Sequence, residues 1–124
     1  MNPEKGKRIA VVGVSNNPDK WGYRIFRDLL NAGYPVEGIN PTNGEILGKI
    51  IYRNLKMVSP VPEMVITVVP HPVTERVVEE CNQLGIKEIW MQPGSESALA
   101  IEKAQSYGIK TTANACFMVK KGIW

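Results

Sequence analysis

The chain has 124 residues, 44% of them hydrophobic and 22% charged, with a formal net charge of +3. This length suits a single domain over residues 1–124, and two cysteines are too few for a disulfide scaffold or a structural zinc site. The charge forms no basic stripe with aromatic platforms, which argues against a nucleic-acid partner. Apolar runs are too short to cross a membrane and the N-terminus lacks a signal-peptide pattern, so we expect a cytoplasmic protein.

Short apolar runs alternate with amphipathic segments along the chain. The runs are continuous, which is typical of strands buried on both faces of a parallel sheet. They span residues 8–14, 35–40, 64–69, 88–92 and 110–113, with a weaker run at 49–52. Amphipathic helices are predicted from about residue 22 to 32 and over 72–84.

Glycines and prolines mark opposite ends of these elements. Gly33, Gly85 and Gly108 stand where a helix ends in a left-handed cap, each before an apolar residue that leads towards the next strand. Prolines follow the apolar runs, in loops that leave the carboxyl ends of the strands: Pro18, Pro41, Pro70, Pro72 and Pro93. The pattern predicts an α/β fold, a Rossmann-like doubly wound sheet of five to six mainly parallel strands in three αβα layers. Ligands bind such sheets at the carboxyl edge.

Gly13 ends the first strand, where a dinucleotide-binding turn also requires glycines at positions 15 and 18. Ser15 and Pro18 stand there instead. Two interpretations remain: Gly13 supplies only a turn, or the loop over residues 14–20 wraps a phosphate with backbone N–H groups and the Ser15 hydroxyl.

The end of the second strand tests the choice of nucleotide. It ends at the neutral Asn40, where NAD-binding domains carry an acidic residue for the ribose hydroxyl. An adenosine phosphorylated on its ribose therefore suits the site better than NAD. Lys49 and Arg53 are the nearby cations, although surface cations are commonly only solvated charge.

An ordered set of short motifs extends over nearly the whole chain. It comprises Ile9-Ala-Val-Val-Gly13-Val-Ser15 with Asn17-Pro18, Tyr23-Arg24, Gly33-Tyr34-Pro35-Val36, Ile39-Asn40-Pro41, Glu45-Ile-Leu-Gly48 with Tyr52 and Leu55, Trp90-Met-Gln-Pro-Gly94, and Cys116. In this order the set resembles the small CoA-binding proteins of bacteria and archaea. These are single Rossmann-like domains similar to the N-terminal part of succinyl-CoA synthetase α subunits.

The resemblance implies a ligand, coenzyme A or a CoA thioester, lying across the carboxyl edge. It assigns the phosphates, ribose, adenine and pantetheine arm to separate residues. By this likeness the phosphates contact Gly13, Ser15, Asn17 and Tyr23 in the region of Pro18, and the ribose lies near Asn40 and Pro41. The likeness also implies that the adenine lies between Val69 and Pro70 and that the pantetheine passes Gln92 and Gly94. Thr42 stands where such domains often carry a lysine, so Lys49 is the expected substitute at the 3′-phosphate.

Few residues of this sequence suit catalysis. His71 is the only histidine, which leaves little for a Ser-His-Asp arrangement or a metal site, so we expect no bound metal. Cys81 falls on an apolar helical stripe and is expected in the core. Cys116 follows the last strand, at the start of a predicted terminal helix. It is either a packing residue or a redox thiol that forms a mixed disulfide with CoA.

Three functions therefore remain open. The leading one is binding of coenzyme A or acyl-CoA as a non-catalytic carrier, sensor or partner subunit. The alternatives are an NADP-dependent or acyl-CoA-using enzyme completed by a partner chain, and a redox module acting through Cys116. The three tryptophans, Trp21, Trp90 and Trp124, are expected mainly as packing residues. Trp21, in the predicted phosphate loop, is the exception that could cover a ligand, and Trp124 is a candidate contact in a homodimer.

Overall fold

The continuous apolar runs become the central strands of one sheet. A computed structural model describes residues 6–42 and 44–124. Its strands are β1 (Ile9–Val12), β2 (Val36–Ile39), β3 (Gly44–Ile46), β4 (Lys49–Tyr52), β5 (Met64–Thr67), β6 (Glu88–Met91) and β7 (Lys110–Thr112). Its helices are α1 (Trp21–Asn31), α2 (His71–Leu84), α3 (Ala98–Ser106) and α4 (Phe117–Lys120), with a 3₁₀ turn at Leu55–Met57.

The strand order is β3-β4-β2-β1-β5-β6-β7. Every neighbouring pair is parallel except β3 with β4. The chain first adds β2 and β4 on one side of β1, and it then returns to add β5, β6 and β7 on the other side. This reversal confirms the doubly wound, Rossmann-like prediction. It also puts the switch point, where such sheets bind ligands, between the carboxyl ends of β1 and β5.

The side chains of β1 show how the layers form. Ile9 and Val11 belong to a core cluster that includes residues of α1 and α4. Ala10 and Val12 belong to a second cluster, which includes residues of α2 and α3. All four are buried, as expected of a strand covered on both faces, and the αβα layering is confirmed. In the described part of the chain, no helix has both the length and the apolar character needed to span a bilayer.

The predicted glycine caps are confirmed. Gly33, Gly85 and Gly108 have φ values of 85°, 74° and 75°, in the left-handed region. The residue after each glycine donates its N–H back into the last turn of the helix, from Tyr34 to Leu29 O, from Ile86 to Cys81 O and from Ile109 to Ala104 O. These caps end the helices near the amino edge, so α1, α2 and α3 begin at the opposite, carboxyl edge.

Over the described residues the sheet has seven strands, not the five to six expected. The additional strand, β3, pairs antiparallel with β4 through a tight hairpin at Leu47 and Gly48, whose φ values are 53° and 79°. Sequence patterning missed β3 because it has three residues, of which only Ile46 is buried. Several predicted strands were also too long at their ends. Val14, for example, lies beyond the end of β1 but has a relative exposure of only 3%. A buried apolar residue next to a strand has the same sequence pattern as a residue within it.

The hairpin generates a stability prediction. Leu47 is exposed and adopts a positive φ that disfavours L side chains other than asparagine and aspartate. We expect Leu47→Asn to raise the free energy of unfolding by about 1 kcal/mol, measured by urea denaturation. Met57→Asn is the control, because it removes another exposed apolar side chain where φ is not positive. An unchanged or lower unfolding free energy for Leu47→Asn would contradict the assignment of strain.

Candidate functional site

The turn after β1 lies in direct contact with the end of β5. Gly13 has a φ of 108°, and its N–H donates to Ile39 O at the end of β2 at 2.9 Å. A Cβ atom on Gly13 would stand 2.3 Å from Val68 O and 2.7 Å from Val69 Cγ1. Only glycine fits this position, so the switch point is built around the Gly13 backbone.

A second glycine, Gly22 in the first turn of α1, completes this packing. A Cβ atom there would stand 2.0 Å from Gly13 O. Gly22 thus lets the helix start pack against the turn, the task of the last glycine in a dinucleotide-binding turn. Sequence reasoning noted Gly22 only as a helix start. The available signal was a glycine in the first turn of the helix that follows a strand-ending glycine.

The loop between Gly13 and α1 is held by its own polar side chains. Ser15 Oγ accepts the Asn17 N–H at 3.0 Å, and Asn17 Oδ1 accepts the Asp19 N–H at 3.0 Å. Pro18 O accepts a hydrogen bond from Arg24 Nε at 3.3 Å. Ser15 and Asn17 therefore shape the loop, and the Ser15 hydroxyl keeps its proton for donation to another group.

The start of α1 has the character of an anion site. Lys20 at the N-cap makes no side-chain capping hydrogen bond, and the first turn contains no acidic residue. The first N–H groups of the helix and its positive dipole end therefore face the carboxyl edge with no acidic side chain in the first turn. Tyr23, expected at the phosphates, lies in this first turn but is half-buried and packs against the core cluster beneath α1.

Asn40 joins the loop to the β3–β4 hairpin. Its Nδ2 donates to Val14 O at 2.9 Å, and its Oδ1 accepts from Thr42 Oγ1 at 2.9 Å. A groove of 380 Å³, here called the polar groove, lies beside it. The polar groove brings together the predicted residues Ser15, Asn40 and Pro41, and it is lined by Val14, Ser15, Asn16, Asn40, Pro41, Thr42, Gly44, Glu45 and Ile46.

The structure separates the two candidate cations. Lys49 begins β4 and therefore lies towards the amino edge, where its Nζ pairs with Glu37 Oε1 at 2.9 Å. The structure does not bring Lys49 to Asn40, contrary to the expectation that it replaces the missing lysine. Arg53 directly follows β4 and is exposed. Because Asn40 N–H donates to Tyr52 O at 3.0 Å, Arg53 is the cation adjacent to Asn40 along the edge.

The residues expected at the adenine and pantetheine lie across the switch point. Val69 is half-buried against Gly13, and Pro70 is exposed at the N-cap of α2. Gly94 lies in an exposed turn, and its N–H donates to Glu96 Oε1 at 2.9 Å. The structure thus places these residues at the carboxyl edge.

Gln92 and Cys116 meet in a second cavity. Gln92 is buried, and its Oε1 accepts the Phe117 N–H at 2.6 Å while its Nε2 donates to Cys116 Sγ at 3.3 Å. A space of 290 Å³, here called the apolar cavity, is lined by Trp21, Ile25, Val68, Gln92, Pro93, Cys116 and Trp124. Cys81 lies in the core as predicted, and burial raises the pKa of its thiol to about 12.

His71 is the first residue of α2. Its Nδ1 lies 3.3 Å from Glu75 Oε2, which also accepts a hydrogen bond from Ser97 Oγ at 2.7 Å. The hydrogen bonds from Ser97 and His71 hold the pKa of Glu75 below its ordinary value. Within residues 6–42 and 44–124, no cluster of three or more His, Cys, Asp or Glu residues is arranged to hold a metal ion.

A doubly wound sheet with a polar, phosphate-type loop at its switch point defines a Rossmann-like nucleotide-binding domain. Residues 7–121 match the family model described as "CoA binding domain", and the chain belongs to that family.

Relatives place this domain both within larger enzymes and in short chains. The chain is 29% identical over 119 residues to the ADP-forming acetate–CoA ligase II subunit alpha of Pyrococcus furiosus, covering 87% of this chain and 26% of that subunit. It is 27% identical to an uncharacterized protein of Bacillus subtilis, covering 97% of this chain and 89% of the relative. A solved structure of a conserved hypothetical protein from Pyrococcus furiosus has a TM-score of 0.88 and 35% identity, covering 92% of this chain and 98% of the other.

The contact between the two glycines generates a prediction. Alanine favours helices over glycine by about 1 kcal/mol, so propensity alone would make Gly22→Ala stabilising. The 2.0 Å approach to Gly13 O predicts the opposite, a loss of about 2–3 kcal/mol in the free energy of unfolding. Urea denaturation of this variant and of Gly6→Ala, where an added Cβ meets nothing within 4 Å, provides the test. Equal or greater stability of Gly22→Ala would contradict this packing.

Proposed function

We propose that the domain binds coenzyme A or a CoA thioester along the carboxyl edge of the sheet, as a non-catalytic carrier, sensor or partner subunit. The observation that carries the proposal is the uncapped start of α1, which opens at the switch point in a chain of the CoA binding domain family.

The pyrophosphate is assigned to the loop before α1. Backbone N–H groups at the helix start and the Ser15 hydroxyl are donors suited to an anion. Gly13 and Gly22 let the turn and helix approach each other closely, so these donors converge. Asn17 contributes by holding the loop, through its hydrogen bonds to Asp19 and with Ser15, rather than by adding charge.

The phosphorylated ribose is assigned to the region of Asn40 and Pro41. Asn40 is neutral, so it does not repel a phosphate as the acidic residue of an NAD site would. Glu45 lines the polar groove and disfavours a phosphate placed deep within it. Arg53, exposed beside Asn40, supplies the cation on the outer side. The 3′-phosphate is therefore assigned to Arg53, and Lys49 is left in its ion pair with Glu37.

The adenine and the pantetheine follow the order of the strands. Val69 and Pro70 offer apolar surface for the adenine beside Gly13. Gln92 and Gly94, which follow β6, lie further along the same edge and are assigned to the pantetheine arm. This course takes the ligand across the switch point, as in other doubly wound domains.

A partner chain fits this proposal. The chain spans between 12% and 26% of the length of the first three acetate–CoA ligases it matches, and one of these relatives is named as an alpha subunit. That likeness favours, as a second candidate, an acyl-CoA-using enzyme in which another chain supplies catalytic groups. His71 is paired with Glu75 at a helix start, which supports a structural role for this histidine.

The assignment of the 3′-phosphate is tested by two single substitutions. We expect Arg53→Ala to weaken CoA binding by about tenfold, the loss of one charged hydrogen bond, and to leave 3′-dephospho-CoA binding unchanged. Lys49→Ala is the matched control and should change neither affinity. Isothermal titration calorimetry measures all six pairs of protein and ligand.

Two results would contradict this proposal. If Lys49→Ala rather than Arg53→Ala removes the preference for CoA over dephospho-CoA, the 3′-phosphate assignment is wrong. Binding of NADP without binding of CoA would contradict the proposed ligand and favour an oxidoreductase.

A further inference from the structure

Two tryptophans form one rim of the apolar cavity. The rings of Trp21 and Trp124 lie 5.7 Å apart between centroids and are tilted by 43°. Their residues are 60% and 44% exposed, so much of this aromatic surface is open to solvent. Trp124 Nε1 donates to Asp28 Oδ2 at 2.7 Å, which fixes the orientation of the indole ring. A fixed and exposed aromatic pair at a cavity is suited to covering a bound group.

The lining of the apolar cavity favours an uncharged occupant. Among the described residues that line it, none carries an ionised side chain. The Gln92 side chain is already engaged, because its Nε2 donates to Cys116 Sγ and its Oε1 accepts the Phe117 N–H. A charged group entering here would lose its hydration without gaining a partner of opposite charge. The cavity volume of 290 Å³ corresponds to about ten water-sized groups.

The same tryptophans border a pocket of opposite character. This second pocket is open to solvent and is lined by Pro18, Trp21, Arg24, Arg27, Asp28 and Trp124. Arg24 lies with its guanidinium carbon 5.4 Å from the centre of the Trp21 ring. Trp21 and Trp124 therefore lie between the apolar cavity and the open pocket that contains the guanidinium groups of Arg24 and Arg27.

The apolar cavity is continuous with the proposed CoA site. Trp21 begins α1, the helix whose start is assigned to the phosphates. Val68 directly follows β5, and Gln92 directly follows β6, so the cavity opens along the carboxyl edge. An arm that leaves the phosphates and passes Gln92 reaches this cavity first.

We propose that the apolar cavity receives the thiol end of CoA together with a short uncharged acyl group, and that Trp21 and Trp124 select against acyl groups carrying a second carboxylate. The inference rests on the proposed CoA site and names the thioester class that this site takes. About ten water-sized groups accommodate the sulfur-bearing end of pantetheine and an acyl chain of a few carbons.

Calorimetric titration with four ligands tests the selection. Adenosine 3′,5′-bisphosphate probes the nucleotide end alone, and CoA adds the thiol end without an acyl group. Butyryl-CoA carries an uncharged acyl group, and succinyl-CoA carries an acidic one. We expect the protein to bind butyryl-CoA about tenfold more tightly than succinyl-CoA, and Trp124→Ala and Trp21→Ala to remove most of this ratio. Trp124→Ala should not change binding of the bisphosphate. Tyr107→Ala, which removes an exposed aromatic residue at the end of α3, is the control.

A disulfide exchange reaction reports where the thiol end lies. The Cys116 thiolate attacks one sulfur of CoA disulfide, so that a Cys116–CoA disulfide bond forms as the CoA–CoA disulfide bond breaks. The other CoA leaves as a thiolate and takes a proton from solvent. We expect the intact mass of the protein to rise by one CoA group, and the Cys116→Ser variant to show no rise. The reaction with CoA disulfide should be faster than the corresponding reaction with glutathione disulfide. Cys81 serves as an internal control, because it is buried in the core.

Different failures have different meanings. One set of results would overturn this inference alone. The protein would bind the bisphosphate, both tryptophan variants would keep the ratio of butyryl-CoA to succinyl-CoA affinity, and Cys116 would form no adduct with CoA. Loss of self-association in Trp124→Ala, with its acyl-CoA affinities unchanged, would also overturn it and assign the tryptophan pair to a contact between two copies of the chain. Absence of binding by CoA and the bisphosphate would overturn the proposed CoA site as well.

Discussion

The close approach of three backbone segments at the switch point is the constraint on which the site depends. Gly13 lies against Val68 O at the end of β5, and Gly22 lies against Gly13 O at the start of α1. Side chains at either glycine would force the first helix or the fifth strand away from the end of β1. The two glycines thus set where the N–H groups of α1 point and where the two cavities on either side of the turn can form.

The polar loop between these glycines distinguishes this domain from one that binds NAD. A glycine-rich turn leaves its backbone open to a pyrophosphate, whereas Ser15 and Asn17 here bind the backbone of their own loop. The donors that we propose for the phosphates are consequently the N–H groups at the start of α1. At the neighbouring strand, Asn40 uses its side chain to join the loop to the hairpin and contributes no charge. In the proposed site, recognition of the ribose phosphate therefore falls to cations outside the groove.

Much of this arrangement follows from the sequence, because buried parallel strands and glycine-capped helices have strong local patterns. The doubly wound sheet and the caps at Gly33, Gly85 and Gly108 were predictable for that reason. Strand β3 was not, since three residues with one buried side chain carry no period. The location of Lys49 was also missed, because proximity in sequence to Asn40 does not reveal that β4 runs parallel to β2 and begins at the opposite edge. The pairing of Trp21 with Trp124 depends on tertiary packing across the whole chain.

The most direct test of the account is the thermal stability of the unmodified protein with CoA and, separately, with NAD, each at the same large excess. A ligand at about one hundred times its dissociation constant stabilises the folded state by roughly 2.7 kcal/mol, which moves the melting temperature of a domain this size by several degrees or more. We expect such a rise with CoA and a much smaller one with NAD. A rise with NAD and none with CoA would contradict it.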